Sequence, residues 1–173
     1  DDEGALNQGS GVITGGTFAG NMIAAADDGA IYMSNVTTNA TTSAYKVYRW
    51  ANESAAAPTV AYSGAPLAGA RLGDSLDLIG GGASTRIVAG YSNNPVATGN
   101  NTFALLTTAD GTTYTSETIA VGTNPPAAGD FRFGITFTDA DTVIGKSGAS
   151  GRFVDVTGAG VGALSSSFTL DGS

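Results

Sequence analysis

Apolar and polar residues alternate along this chain in short runs that end at glycine, aspartate, asparagine or serine. Alternation with a period of two is typical of β-strands, and clusters of turn-forming residues mark where strands end. No run of ten or more helix-forming residues repeats its apolar positions at helical spacing. The pattern therefore predicts an all-β fold.

Four predicted strands recur in the same order three times, at offsets of about 50 to 60 residues. The first strands are NMIAA (21–25), SLDLI (75–79) and GITFT (134–138), and the second are IYMSNV (31–36), RIVAGY (86–91) and TVIGKS (142–147). The third strands are YKVYRW (45–50), TFALLT (102–107) and RFVDVT (152–157), and the fourth are TVAYSG (59–64), ETIAVG (117–122) and SFTLDG (167–172). Three copies of a four-stranded antiparallel unit are predicted.

Aspartates mark several of the turns between these strands. Asp27-Asp28-Gly29 and the segment DAD (139–141) each join a first strand to a second, and Asp110-Gly111 follows a third strand. Glycine supplies the positive φ of tight hairpins, and aspartate accepts hydrogen bonds from the turn backbone. Calcium binding by Asp27 and Asp28, or by Asp139 and Asp141, is the alternative, but TDADT lacks the far acidic ligand of a calcium loop. Plain turns are favoured.

The repeated segments resemble the blades of secreted bacterial β-propeller domains, in particular an uncharacterised family of such domains (a domain of unknown function). The residues that carry the resemblance are ADDGAIYMSNVTTNATTSAYKVYRWANE, APTVAYSG, GDSLDLIGGG and LLTTADGTTY. The resemblance spans nearly the whole chain and implies one domain over residues 1–173. This predicted domain consists of a lead-in segment (1–16) and three four-stranded blades (17–65, 66–124 and 125–173). The family supplies no catalytic residues.

One segment before the first blade resembles an additional fourth strand. GVITGG (11–16) matches TVAYSG and TIAVG, so that Val12, Ile13 and Thr14 would form an extra N-terminal strand. Closed propellers have four to eight blades, and an unpaired strand edge seeks a partner. The chain is then a piece of a longer propeller, or copies complete one another, or the extra strand is donated head to tail into a fibre.

Charge and composition limit the possible partners. Fifteen acidic against seven basic residues give a net charge of −8 and a pI near 4.1. The basic residues are scattered, which makes nucleic acid and anionic membranes poor partners, and no apolar run approaches the ~20 residues of a membrane-spanning helix. The acidic, Thr/Asn/Gly-rich composition fits an exported protein, extracellular or at the cell surface. The start DDEGALNQ shows no leader, so a signal was removed or the sequence begins later.

The absence of certain residue types limits the chemistry further. The chain has no cysteine and no histidine. A disulfide framework, a thiolate zinc site, a Ser-His-Asp triad and the usual base at neutral pH are therefore excluded. No cofactor or metal is expected. Glycoside hydrolysis by two carboxylates remains the weakest hypothesis, since the sequence places no two of them across a cleft.

Arg71 and Asp74, in RLGDSLDLIGGG at the start of an inner strand, are one candidate ligand contact. They could touch a glycan at a central channel, or they could form an ion pair that orders the start of the blade, which is favoured. Asp77 lies three residues further on and would point to the opposite face of a strand, so no carboxylate pair is predicted.

Aromatic residues are the second candidate contact. Tyr48 and Trp50 share one face of YKVYRW, and a sugar could stack on Trp50 or on Tyr62. Packing between blades is the favoured interpretation, with Trp50, near a strand end, as the likelier exception.

Two loops, NVTTNATTSA (35–44) and SNNPVATGNN (92–101), are rich in asparagine and threonine. The glycosylation pattern N-x-[ST] occurs at Asn35, Asn39, Asn52 and Asn100. In an exported protein these residues could carry glycans, or the loops could simply be solvated. A partner surface would also most naturally lie on such loops.

These observations favour a non-catalytic extracellular structural or interaction module that self-associates through open blade edges with other copies of itself, and a surface fibre subunit is one form that such a module could take. The alternative is a glycan- or ligand-binding β-propeller domain of a larger secreted protein.

Overall fold

The structure, a computed structural model, describes residues 18–93, 102–120, 131–147, 150–157 and 163–169. These residues form three antiparallel sheets, called the first, middle and third sheet, and one short 3₁₀ helix, Gly82–Ser84. The extra N-terminal strand predicted at Val12, Ile13 and Thr14 lies outside the described residues.

Each sheet is built from strands that follow one another in sequence. The first sheet contains β1 (Phe18–Ala25), β2 (Ile31–Val36), β3 (Tyr45–Trp50) and β4 (Thr59–Gly64), in that order. The middle sheet has the order β5-β7-β8-β9, with β6 also pairing β7, and its strands are β5 (Ala70–Leu72), β6 (Asp77–Ile79), β7 (Arg86–Asn93), β8 (Thr102–Thr108) and β9 (Tyr114–Ala120). The third sheet contains β10 (Ile135–Asp139), β11 (Thr142–Ser147), β12 (Ser150–Asp155) and β13 (Ala163–Thr169), in that order.

The all-β prediction is confirmed, and each of the twelve strands predicted for the three repeats has a counterpart. Four of them, β2, β3, β4 and β11, match the prediction at both ends. The count of four strands per repeat holds for the first and third sheets, but the middle sheet carries a fifth strand, β5. The eight-residue β7 is long enough to pair with β6 at its start and with β5 at its end. The described residues form no closed ring, and the arrangement of the sheets as propeller blades stays a prediction.

The middle sheet is buried on both faces. Successive side chains of a strand point to opposite faces. On β7, Ile87 and Ala89 therefore join a core shared with the first sheet, and Val88 joins a core shared with the third. On β8, Leu106 faces the first sheet and Leu105 the third. Full burial of such a side chain contributes about 1.5–3 kcal/mol, so the two cores hold the three layers together.

The short strand β5 connects the first and middle sheets through backbone hydrogen bonds. The N–H of Thr37 donates to the carbonyl of Leu72, and the N–H of Leu72 donates to the carbonyl of Thr37, both at 3.0 Å. The N–H of Ala40 donates to the carbonyl of Ala70 at 2.9 Å. The other edge of β5 pairs with β7, so one strand serves both layers.

Aspartate side chains accept hydrogen bonds from backbone N–H groups, both within their own turn and in the following repeat. Asp28 accepts a bond from the N–H of Ala30 at 3.1 Å within its own turn, and its other oxygen accepts one from the N–H of Gly82 at 2.9 Å. Asp77 accepts a bond from the N–H of Phe137 at 2.8 Å. Each of these carboxylates thus accepts a hydrogen bond from a backbone N–H of the following repeat.

Arg86 connects the middle and third sheets through hydrogen bonds to backbone carbonyls. Arg86 donates to the carbonyl of Val156 at 2.9 Å and also to the carbonyl of Ala140.

Within the described ranges, no helix has both the length and the apolar character needed to cross a membrane.

Candidate functional site

Two arginines from consecutive sheets share one carboxylate. Arg71, on β5, binds Asp74 with two hydrogen bonds, from Nε to Oδ2 at 2.6 Å and from Nη2 to Oδ1 at 2.7 Å. Arg132, just before β10, also donates from Nε to Oδ2 of Asp74. The predicted Arg71–Asp74 ion pair is therefore present. Arg132 was not predicted to join this pair, because it lies in the next repeat.

The charges of this cluster do not cancel. Burial alone would raise the pKa of Asp74, but the hydrogen bonds and charges of Arg71 and Arg132 outweigh it and hold that pKa below its usual value. Two guanidinium groups face a single carboxylate, which leaves a local positive charge on a chain whose net charge is −8. Arginine stays protonated at any ordinary pH, so the cluster is suited to charge recognition and not to proton transfer.

Phe131 fixes this cluster between the middle and third sheets. It is fully buried, and its φ of 65° is unusual for a bulky side chain. Its ring packs against that of Phe103, with the centroids 5.5 Å apart, and its carbonyl accepts a bond from Ser75 Oγ at 3.2 Å. Any side chain at Gly90 would overlap that carbonyl. Packing therefore holds the strained residue in place.

Arg132 and Phe133, which follow Phe131, extend this cluster to the protein surface. The guanidinium carbon of Arg132 lies 4.2 Å from the ring centroid of Phe133, which is close enough for a cation–π interaction. Phe133 is 70% exposed. The site therefore presents a flat apolar ring beside excess positive charge.

The two predicted aromatic contacts do not join this site. Trp50 is fully buried, so the structure leaves it no face on which a sugar could stack. Tyr62 is half-buried between the first and middle sheets, where its hydroxyl lies 2.9 Å from Ser116 Oγ and its ring centroid 6.3 Å from that of Tyr45. The packing interpretation fits both residues.

A second aromatic contact between sheets was not predicted. The hydroxyls of Tyr32 and Tyr114 lie 2.7 Å apart and their rings meet edge to face at 81°. Arg49 donates from Nε to the Tyr32 hydroxyl at 3.1 Å. The two tyrosines are 82 residues apart, a distance at which the strand pattern carries no pairing information.

The four asparagines of the glycosylation patterns differ in accessibility. Asn35 is buried, where its amide nitrogen donates to the carbonyl of Ala44 at 3.1 Å. Asn39 is half-buried, and Asn52 is exposed. Asn100 lies outside the described residues. A glycan on Asn35 would replace a buried hydrogen bond, so the folded structure favours Asn52.

Asp77 and Asp139 each accept a hydrogen bond from a backbone N–H. Asp139 accepts a bond from the N–H of Asp141 at 2.9 Å within their turn. Asp77 and Asp74 bind different partners, in agreement with the prediction that they form no pair. In the part of the chain that the structure describes, no group of three or more acidic side chains could hold a metal ion.

The outer face of the first sheet carries a row of apolar side chains that crosses all four strands. The registers pair Ile23 with Met33, Met33 with Tyr48, and Tyr48 with Val60. Tyr48 and, on the same face of β3, Trp50 are fully buried, so the chain itself covers this part of the face, whereas Ile23 and Val60, at the two ends of the row, are 54% and 48% exposed.

Toward β1 this face forms a patch in which every side chain retains exposed surface. The β1–β2 patch consists of Ile23, Ala25, Ile31 and Met33, paired across the two strands. Exposed apolar groups that cluster on one face are typical of interaction surfaces.

Comparisons of the chain with protein-family models, with curated proteins and with solved structures find no match. The resemblance to secreted propeller blades accordingly stays a prediction.

Proposed function

We propose that this protein is a non-catalytic structural module that associates with other copies of itself through the outer surfaces of its stack of sheets. The observation that carries the proposal is the β1–β2 patch. The side chains of this patch are half-buried or exposed. The residues at the corresponding positions of the middle and third sheets are packed between two sheets.

The equivalence of these positions follows from strand order and register. Ile31 and Ile87 occupy corresponding positions on second strands, and the separation between them equals that between Ile87 and Val143. Ile87 is buried against the first sheet, and Val143 is buried against the middle sheet. The other counterparts of the patch that pack into the two cores are Leu76, Leu78 and Ala89 in the middle sheet and Ile135 and Phe137 in the third.

The finer parts of the proposal are that the sheets are consecutive propeller-type blades and that the module works outside the cell. The shared strand order supports the first, as do side-chain contacts at a regular spacing. The Asp28–Gly82 bond spans 54 residues, as does the Tyr62–Ser116 contact. The acidic composition without cysteine supports the second.

Sedimentation velocity of the purified chain over a wide concentration range tests the proposal. We expect concentration-dependent association, which Ile23→Lys weakens at least tenfold because it places a charge in the patch. Thr115→Lys, an exposed strand residue of the middle sheet, is the matched control and should associate as the parent does. A parent chain that stays monomeric throughout would overturn the proposal.

A second candidate function, ligand binding, rests on the exposed ring of Phe133 beside Arg132. A carboxylate on a sugar ring would match this site, since guanidinium groups bind carboxylates and an aromatic face packs on apolar ring atoms. Titration with an oligouronate and with its neutral counterpart, monitored by NMR, checks this function. We expect shifts with the charged oligosaccharide alone, and their loss in Phe133→Ala.

A further inference from the structure

We infer that the association is head to tail: the β1–β2 patch of one copy packs on the outer face of the third sheet of a second copy. This inference rests on the proposed self-association, and adds its direction and its second surface.

The interfaces within the chain establish the direction. In each sheet, the rear face is the one directed toward the preceding sheet in sequence, and the front face is directed toward the following one. The rear face of the middle sheet, with Ile87 and Leu106, packs on the front face of the first sheet, with Tyr32 and Val47. This interface therefore joins two unlike faces.

The second interface within the chain has the same polarity. The rear face of the third sheet, with Val143 and Val154, packs on the front face of the middle sheet, with Val88 and Phe103. Both sheet contacts among the described residues thus place a rear face on a front face.

At one end of the stack lies the rear face of the first sheet, and at the other end lies the front face of the third sheet. The β1–β2 patch belongs to the rear face of the first sheet. On the front face of the third sheet, Ile144 is paired with Phe153, and both are half-buried. The separation between Ile144 and Val88 equals that between Val88 and Tyr32, and both of these counterparts are fully buried beneath the following sheet.

The second copy is the occupant because this one chain carries both unlike surfaces. A contact between unlike faces leaves one rear face and one front face free at the ends of every complex. Such heterologous association closes into a ring if the rotation permits and otherwise grows into a filament. A contact between two rear faces would instead stop at a dimer.

Mixing two variants tests the direction. Ile23→Lys blocks the rear face and Ile144→Lys blocks the front face, so each variant alone should sediment as a monomer. An equimolar mixture should form a one-to-one dimer and nothing larger, because it contains one intact rear face and one intact front face. Thr115→Lys should assemble like the parent chain, and electron microscopy of both should show filaments or rings.

The possible contrary results are distinct. If Ile144→Lys associates as the parent does while Ile23→Lys does not, like faces meet, and the direction is wrong although self-association stands. If both variants still assemble, another surface is used and the inference is overturned. A monomeric parent chain refutes the proposed function itself. Ala25→Lys and Thr138→Lys, at exposed positions of the same two faces, replace either variant that fails to give the far-UV spectrum of the parent.

Discussion

The ring of Phe131 fills the space that a side chain at residue 145 would need: a Cβ built on Gly145 would overlap Cδ1 of that ring. Gly145 lies on β11 of the third sheet, and Phe131 reaches it from the segment that joins the middle sheet to β10. The pair therefore fixes how closely the third sheet approaches the middle one.

Replacement of this glycine should loosen the interface between the two sheets. We expect Gly145→Ala to lower the free energy of unfolding by about 1–3 kcal/mol, as overpacking of a buried site does. Urea unfolding followed by tyrosine and tryptophan fluorescence measures the change. Gly69→Ala is the comparison, because its positive φ of 76° is strained but no atom lies within 4 Å of its Cβ position. Gly145 has no such positive φ, so a Gly145→Ala variant as stable as the parent would show that the Phe131 ring makes room for the added methyl group at no cost.

The Tyr45 hydroxyl is buried, and its neighbour Ser34 is not placed well enough to form a full hydrogen bond with it. Its removal in Tyr45→Phe should leave the free energy of unfolding at pH 7 unchanged or raise it by up to about 1 kcal/mol. Tyr114→Phe, which loses the 2.7 Å contact with Tyr32, should instead lower it by about 1 kcal/mol. Chemical denaturation of both variants decides the matter, and an equal loss would contradict the assignment.

The same tyrosine predicts a loss of stability in alkali. Burial raises the pKa of Tyr45 in the folded protein, whereas an unfolded tyrosine ionises near pH 10. The folded state then holds more protons than the unfolded state above about pH 10, so stability falls as the pH rises. Unfolding between pH 9 and 12 should show a shallower decline in Tyr45→Phe than in the parent. Parallel curves would argue against this origin.

Asp74 should have the opposite pH dependence. Its folded pKa is held low by Arg71 and Arg132, so its contribution is present above the unfolded pKa near 4 and is lost as the pH falls through the folded value. We expect Asp74→Asn to cost about 1–3 kcal/mol at pH 7, because two guanidinium groups lose their partner. The difference from the parent should shrink below pH 4. Asp27→Asn, at an exposed turn position, should show no comparable cost at either pH.

Glycosylation should follow exposure. When the chain is secreted from a host that modifies N-x-[ST] sites, we expect mass spectrometry to find a glycan on Asn52 and none on Asn35, whose amide is buried and hydrogen-bonded. A digest with the glycan mainly on Asn35 would mean that modification precedes folding of β2.

The strands were predictable because alternation and turns are local properties. β2 and β3 have period-two patterns bounded by turn residues, and both ends were found. β5 was missed because three residues are too short to show a period, and because the strand is held by residues far away in sequence: Thr37 on one side and β7 on the other.

The candidate site was only half predictable for the same reason. Arg71 and Asp74 are three residues apart, and their pairing follows from proximity. Arg132 reaches the same carboxylate from 58 residues away. For Trp50, packing between blades was the favoured interpretation and its place near a strand end kept exposure open, because burial depends on what lies above a face and the strand pattern does not encode that.

The polarity of the sheet contacts has a consequence for how such a chain could change in length. Both interfaces place a rear face on a front face, so a whole repeat could be added or deleted between two existing ones without creating a mismatched layer. Duplication and loss of complete four-stranded units are therefore the steps by which genes for proteins of this design can lengthen or shorten while each intermediate still folds.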